Sequence, residues 1–126
     1  NNDLANAKII LSGGMGLKNK EGFAKLENLA NIMGAQIGAS RLAVEAGFAS
    51  PDVQIGQTGQ SVAADLYIAF GISGAIQHLC GIKNCKKIIA VNNDKNAPIF
   101  NHCDIGIVDD AALVIEQLKN LLSQKV

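Results

Sequence analysis

Short apolar runs rich in Ile and Val recur along the chain, and each leads through glycine or small polar residues into a stretch whose apolar positions repeat at helical spacing. That alternation predicts a parallel α/β sheet, because strands covered on both faces read as continuous apolar runs and parallel neighbours need a crossover between them. "AKIILSGG" (7–14) predicts a buried strand ending in a glycine turn. "KEGFAKLENLANIMG" (20–34) predicts an amphipathic helix with Phe23, Leu26, Leu29, Ala30 and Met33 on one face, closed by Gly34. "AQIGAS" (35–40) predicts the next strand and "RLAVEAG" (41–47) a short helix, followed by a loop with at most a short strand over 53–55. "LYIAFG" (66–71), "KIIAVN" (87–92) and "DIGIVD" (104–109) predict three more strands, with helices over 73–81 and 110–124. The fold expected is a single domain with an open, mostly parallel, doubly wound, Rossmann-like sheet flanked by helices.

In an open sheet of this kind ligands bind beyond the carboxyl ends of the strands. The chain puts its distinctive residues there: Ser12 to Gly16, Ser40 and Arg41, Gly56 to Gly59, Gly71 to His78, Asn92 to Asp94, and Asp109 with Asp110. Turn glycines are expected of any α/β domain. The Ser, Thr, Asn, Asp, Arg and His side chains gathered beside them ask for a further reason.

Composition narrows that reason. The 126 residues suit one domain, and their formal net charge of zero offers no basic field for nucleic acid or anionic lipid. No apolar run approaches the roughly 20 residues of a membrane span, so membrane insertion is not expected. Cys80, Cys85 and Cys103 form an odd set without CxxC spacing, which argues against a disulfide framework or a zinc site and for reduced thiols. His102, Cys103 and Asp104 are adjacent, but successive strand residues point to opposite faces and make a poor metal cluster.

"GISGAIQHLCG" carries the strongest single signal. Gly71 and Gly74 let the backbone turn out of the strand, and Ser73 reads as an N-cap of a following helix whose first N–H groups could meet an anion. Neither this stretch nor "SGGMGLKN" completes GxGxxG, since Asn19 takes the third glycine place, and neither is a P-loop. "IGQTGQ" holds the chain's one threonine, Thr58, between glycines, where its hydroxyl could serve a ring heteroatom or simply a turn. His78 reads either as a buried histidine satisfied by the fold or as a donor to a carbonyl. Arg41 is the one arginine beside ten lysines, and it is open to two readings: a helical i,i+4 pair with Glu45, or a site needing a planar, permanent cation. Asp109 and Asp110 read as the cap of the last helix.

The ordered set "SGGMGLKNKEGF", "IGASRLAVEAGF", "QIGQTGQSVAADLYIAFGISGAIQHL" and "NNDKNAPIF…DIGIVDD" resembles the C-terminal, FAD-binding domain of electron transfer flavoprotein alpha subunits over nearly the whole chain. The resemblance implies an FAD-binding electron carrier, not an enzyme with a substrate of its own. It would accept electrons from flavoprotein dehydrogenases such as acyl-CoA dehydrogenases and deliver them to a quinone oxidoreductase or another acceptor. It further implies pairing with an electron transfer flavoprotein beta subunit, a place in the bacterial cytoplasm or the mitochondrial matrix, and a chain that is the C-terminal part of a longer alpha subunit.

Carried over by motif, the resemblance implies that Ser40 and Arg41 lie at the flavin. Ile55, Gly56, Gln57 and Thr58 would contact the ring and the chain behind it, with Thr58 near N5. Ser73, Gly74, Ala75, Ile76 and Gln77 would hold the ribityl and pyrophosphate, and His78 would face the C2 carbonyl. Asn92 and Asp110 would take the adenosine end. Arg41 then supplies an unremovable, flat cation to offset the negative charge of the flavin semiquinone. One position departs: where the family commonly reads "SGGRG" this chain has Met15, without the arginine that the family uses as a cofactor contact. A domain of the same architecture that holds NAD(P) or an AMP moiety without redox cycling is the alternative reading, and a subunit-interface domain without ligand a third.

Overall fold

Tyr67 pairs in register with Ile10 and Ile88, so the middle of the sheet is a row of large buried side chains. The computed structural model describes residues 4–124. The strands β1 (Ile9–Gly13), β2 (Gln36–Ala39), β3 (Leu66–Phe70), β4 (Lys87–Asn92) and β5 (Ile105–Val108) form one five-stranded sheet in the order β2-β1-β3-β4-β5. Every neighbouring pair is parallel. The helices are α1 (Lys20–Met33), α2 (Arg41–Glu45), α3 (Ile76–Leu79) and α4 (Ala111–Ser123).

The chain order turns back between β1 and β3, which makes that pair the topological switch point. Right-handed crossovers on either side of such a point put their connections on opposite faces. Accordingly α1 and α4 pack together on one face, and the loop around residues 54–62 packs with α3 on the other. The fold class expected from the strand pattern is the one observed, with all five strands parallel.

Capping explains where the long helices start. The Asn19 side chain accepts from Gly22 N–H at the head of α1, Gly34 in the left-handed region closes that helix, and Asp110 accepts from Leu113 N–H at the head of α4. Two expectations need correction. The helix predicted over 73–81 is only Ile76–Leu79, capped by Ala75 without a side-chain bond, so Ser73 is not its N-cap. Gly74, at φ +94 and with its Cα against Ile99, keeps the backbone turning after Ser73 and delays the helix. The strand expected over 53–55 reduces to isolated bridges of Gln54 to Ala39 and Ile55 to Gln60, after a 3-10 turn at Pro51–Val53. No helix among the described residues is long and apolar enough to cross a membrane.

Candidate functional site

The loops that leave the carboxyl ends of the strands are knitted to one another by backbone hydrogen bonds. Gly14 N–H donates to the Phe70 carbonyl at 3.0 Å and Gly16 N–H to Gly71 at 2.9 Å, which locks the turn after β1 onto the turn after β3. Ser40 N–H reaches the Gly13 carbonyl at 3.0 Å, and Ile99 N–H reaches Ser73 at 2.9 Å. From β4, the buried Asn92 side chain donates to the Ile72 carbonyl at 3.0 Å and accepts from Asp94 N–H at 2.9 Å. Gln57 N–H donates to the Gln77 carbonyl at 2.8 Å and so joins the "IGQTGQ" loop to α3.

What these bonds leave over is informative. The consecutive backbone N–H groups of Ser73, Gly74, Ala75, Ile76 and Gln77 meet no acceptor among the described residues. Ser73, Ala75, Ile76 and Gln77 are exposed and Gly74 between them is buried, so the row of unpartnered donors lies in a surface turn at the switch-point end of β3. Successive unpaired amides of this kind form a concavity for anionic oxygens.

Around that row the predicted side chains divide into two groups. Arg41 and Thr58 are exposed at the same edge. Arg41 pairs with Glu45 at 3.6 Å, an open i,i+4 contact of little energetic weight, and Thr58 Oγ1 accepts from Gln54 Nε2 at 3.0 Å. Ser40 is used as the cap of α2, accepting from Ala43 N–H at 3.3 Å. Asn92 and Asp110 are committed to the protein itself, the first as the brace on Ile72 and the second as the α4 cap, which also pairs with Lys18 at 3.6 Å. Asp104, part of the adjacent triplet with His102 and Cys103, accepts from Ile88 N–H at 2.8 Å and serves the sheet.

His78 lies beneath this surface. Its Nε2 is 2.5 Å from the Tyr67 hydroxyl, inside the fold. Burial lowers its pKa from 6.5 to about 4, and the Ile55 backbone beside the ring opposes that fall without closing a hydrogen bond on Nδ1. Burial raises the Tyr67 pKa well above its ordinary value. Among the described residues the buried side-chain polar atoms without a partner are His78 Nδ1 and Ser12 Oγ, and both flank Tyr67. The strand pattern gave no hint of Tyr67 or Ser12 as site residues. One signal was available: a lone tyrosine in a strand buried on both faces must find a partner for its hydroxyl.

Two concavities of about 430 and 520 Å³ lie elsewhere, between α1 and the 47–53 segment along the β2 edge, lined by residues such as Glu27, Ala49 and Ser50.

The model of the electron transfer flavoprotein FAD-binding domain matches residues 3–83, which include the turn after β1, Arg41, Thr58 and His78. The mitochondrial electron transfer flavoprotein alpha subunit of Oryza sativa subsp. indica is 53% identical over 123 residues, 98% of this chain and 34% of that protein. The alpha subunit of Paracoccus denitrificans is 52% identical over 120 residues, 95% of this chain and 39% of that protein. The chain thus spans little more than a third of the length of these relatives. A solved structure of a Mycobacterium smegmatis protein assigned as a thiamin diphosphate-dependent enzyme superposes with a TM-score of 0.61 at 15% identity, over 94% of this chain and 25% of that one. At that identity the likeness concerns the fold alone. With a family match over most of its length and close relatives over nearly all of it, the chain belongs to the electron transfer flavoprotein FAD-binding domain family.

Proposed function

We propose that this chain holds FAD across the carboxyl ends of β1, β3 and β4 and works as the flavin-bearing part of an electron carrier. The observation that carries the reading is the row of unpartnered N–H groups from Ser73 to Gln77, joined through Gln77 to the loop that bears Thr58. The residues present fit the group. The amide row suits a pyrophosphate and needs no side chain, Thr58 offers an exposed hydroxyl, and Arg41 offers an exposed planar cation whose present partner is a weak surface contact. Breaking the Arg41–Glu45 pair to receive a ligand costs no more than a few tenths of a kcal/mol.

Bound FAD supplies a centre that takes up and returns electrons singly. The protein's task is to retain the flavin and set the field around it. Arg41 offsets negative charge that the ring acquires on reduction, Thr58 serves its N5 edge, and Ser40, Ile55, Gly56 and Gln57 shape the surface beside the ring. Ser73 to Gln77 hold the ribityl and pyrophosphate, and His78 faces the C2 carbonyl. Asn92 and Asp110 act on the adenosine end through the loops that they brace, because their own polar atoms are already engaged. The donors are flavoprotein dehydrogenases, the acceptor is a quinone oxidoreductase or a similar protein, and a beta subunit completes the flavin's cover. The setting is the bacterial cytoplasm or the mitochondrial matrix.

Titration of the chain with FAD, NAD⁺ and AMP, followed by absorbance and calorimetry, tests the reading. FAD is expected to bind at one site with a perturbed visible spectrum and to bind much more tightly than the other two. Equal binding of AMP and FAD, with no spectral change, would instead identify an adenine-nucleotide module.

A further inference from the structure

Ser12 and Tyr67 come together because of strand register. Ile10 is opposite Tyr67 and Ser12 opposite Ala69, so by strand alternation Ile10, Ser12, Tyr67 and Ala69 all project to one face of the sheet. The loop around Ile55 and the short α3 cover that face and bring His78 onto the Tyr67 hydroxyl. All three side chains are buried.

We propose that Tyr67 is a positioning residue whose hydroxyl donates to His78 Nε2 and locks the imidazole in its Nδ1–H form, reserving that N–H as the ring's one donor for the cofactor. The proposal rests on the reading that His78 faces the flavin.

The direction of the hydrogen bond follows from its surroundings. A phenol can donate to a bare Nε2 or accept from a protonated one. The partners available decide between these. Among the described residues the phenol's one hydrogen-bond partner is His78 Nε2, while Nδ1 and the neighbouring Ser12 Oγ have none. If Nε2 carried the proton, the buried phenol O–H would be left without an acceptor and Nδ1 without a donor, so the phenol donates and the imidazole proton sits on Nδ1. Tyr67 therefore points its proton from β3 to α3. Burial holds the phenol protonated and the imidazole neutral, so neither is removed from this role near neutral pH.

The arrangement also accounts for the orphaned atom. A buried N–H without an acceptor is uncommon and unfavourable, and one that recurs at a ligand site is explained by a partner that arrives with the ligand. Tyr67 opposes escape by tautomerisation: moving the proton to Nε2 would deprive the buried phenol O–H of its acceptor.

Nitrogen-15 spectra of the His78 ring in the chain, recorded with and without FAD, test the idea. The wild-type chain is expected to show a protonated Nδ1 and a bare Nε2, with the Nδ1 signal moving on addition of FAD. Tyr67→Phe, which removes one oxygen, should give a mixture of tautomers and weaken FAD binding by about tenfold, the scale of one hydrogen bond. A protonated Nε2 in the wild type, or an unaltered tautomer in Tyr67→Phe, overturns the proposal. If Tyr67→Phe does not fold, the wild-type tautomer and that of Ser12→Ala carry the test, the latter expected to retain Nδ1–H. A locked Nδ1–H whose signal ignores bound FAD would refute the placement of His78 at the flavin while leaving the Tyr67 bond intact, and the reserved-donor role would be overturned with it.

Discussion

The backbone N–H of Gln57 donates to the Gln77 carbonyl at 2.8 Å, and through that bond the threonine loop and the histidine helix become one surface. Close approach of the two backbones makes it possible. Gly56 has φ +137, and a Cβ there would come within 2.8 Å of the Gln77 carbonyl oxygen; opposite it, a Cβ on Gly81 would fall 2.6 Å from Gly56 N. The pair of glycines thus decides how near Thr58 comes to the turn of free amides.

Gly56→Ala should for this reason be costly. It combines a backbone conformation that side chains rarely adopt with a clash against backbone, and a loss of about 1–3 kcal/mol is expected. Urea denaturation measures it. FAD affinity should fall as well, since the Gln57–Gln77 bond cannot keep its length.

Asn92→Ala should act at a distance from its own position. The substitution strips partners from the Ile72 carbonyl and Asp94 N–H, one of them inside the fold, and should destabilise by about 1–3 kcal/mol. Hydrogen exchange of the Ile99 amide, which donates to the Ser73 carbonyl, should accelerate in the variant. Unchanged exchange there would show that Asn92 does not brace the turn.

Stability should fall on acidification because of His78. Its pKa is about 4 in the fold and 6.5 when exposed, so below 6.5 the unfolded chain binds a proton that the native chain refuses. The contribution is whole above pH 6.5, declines between 6.5 and about 4, and is then lost, a span worth on the order of 3 kcal/mol. Denaturant unfolding at pH 7 and pH 5 should show the drop, and His78→Gln should flatten it.

Arg41→Ala should leave stability within about 0.5 kcal/mol, because the pair with Glu45 is exposed and long at 3.6 Å. In the FAD-loaded protein the same change should lower the first one-electron potential of the flavin, and Arg41→Lys should restore part of it, since charge survives without the flat fork of donors. Potentiometric titration separates the two roles: an unaltered potential would leave Arg41 as a surface ion pair.

Met15→Arg should tighten FAD binding by on the order of 1 kcal/mol, the value of one charge-assisted contact on an open surface. Met15 is exposed on the turn that Gly16 ties to Gly71, so a longer cationic side chain has room. Fluorescence titration at low salt is the check. An identical dissociation constant would mean that the side chain points away from the flavin.

Much of this architecture was legible in the chain itself. Buried parallel strands are written as continuous runs such as "KIIAVN", and their carboxyl ends must carry any ligand chemistry, so Ser40, Arg41, Thr58 and the 71–78 stretch could be singled out before any coordinates. Local rules also found Gly34 as a helix stop and Asp110 as a cap, because capping depends on residues a few positions apart. Tertiary structure decided the rest. Whether Asn92 was free to touch a ligand and where α3 began depended on contacts between distant segments, such as Gly74 against Ile99 and Asn92 against Ile72. The Tyr67–His78 bond was illegible for the same reason: it exists only because strand register turns Tyr67 to the face that α3 covers, and no spacing in one dimension encodes which element crosses which face.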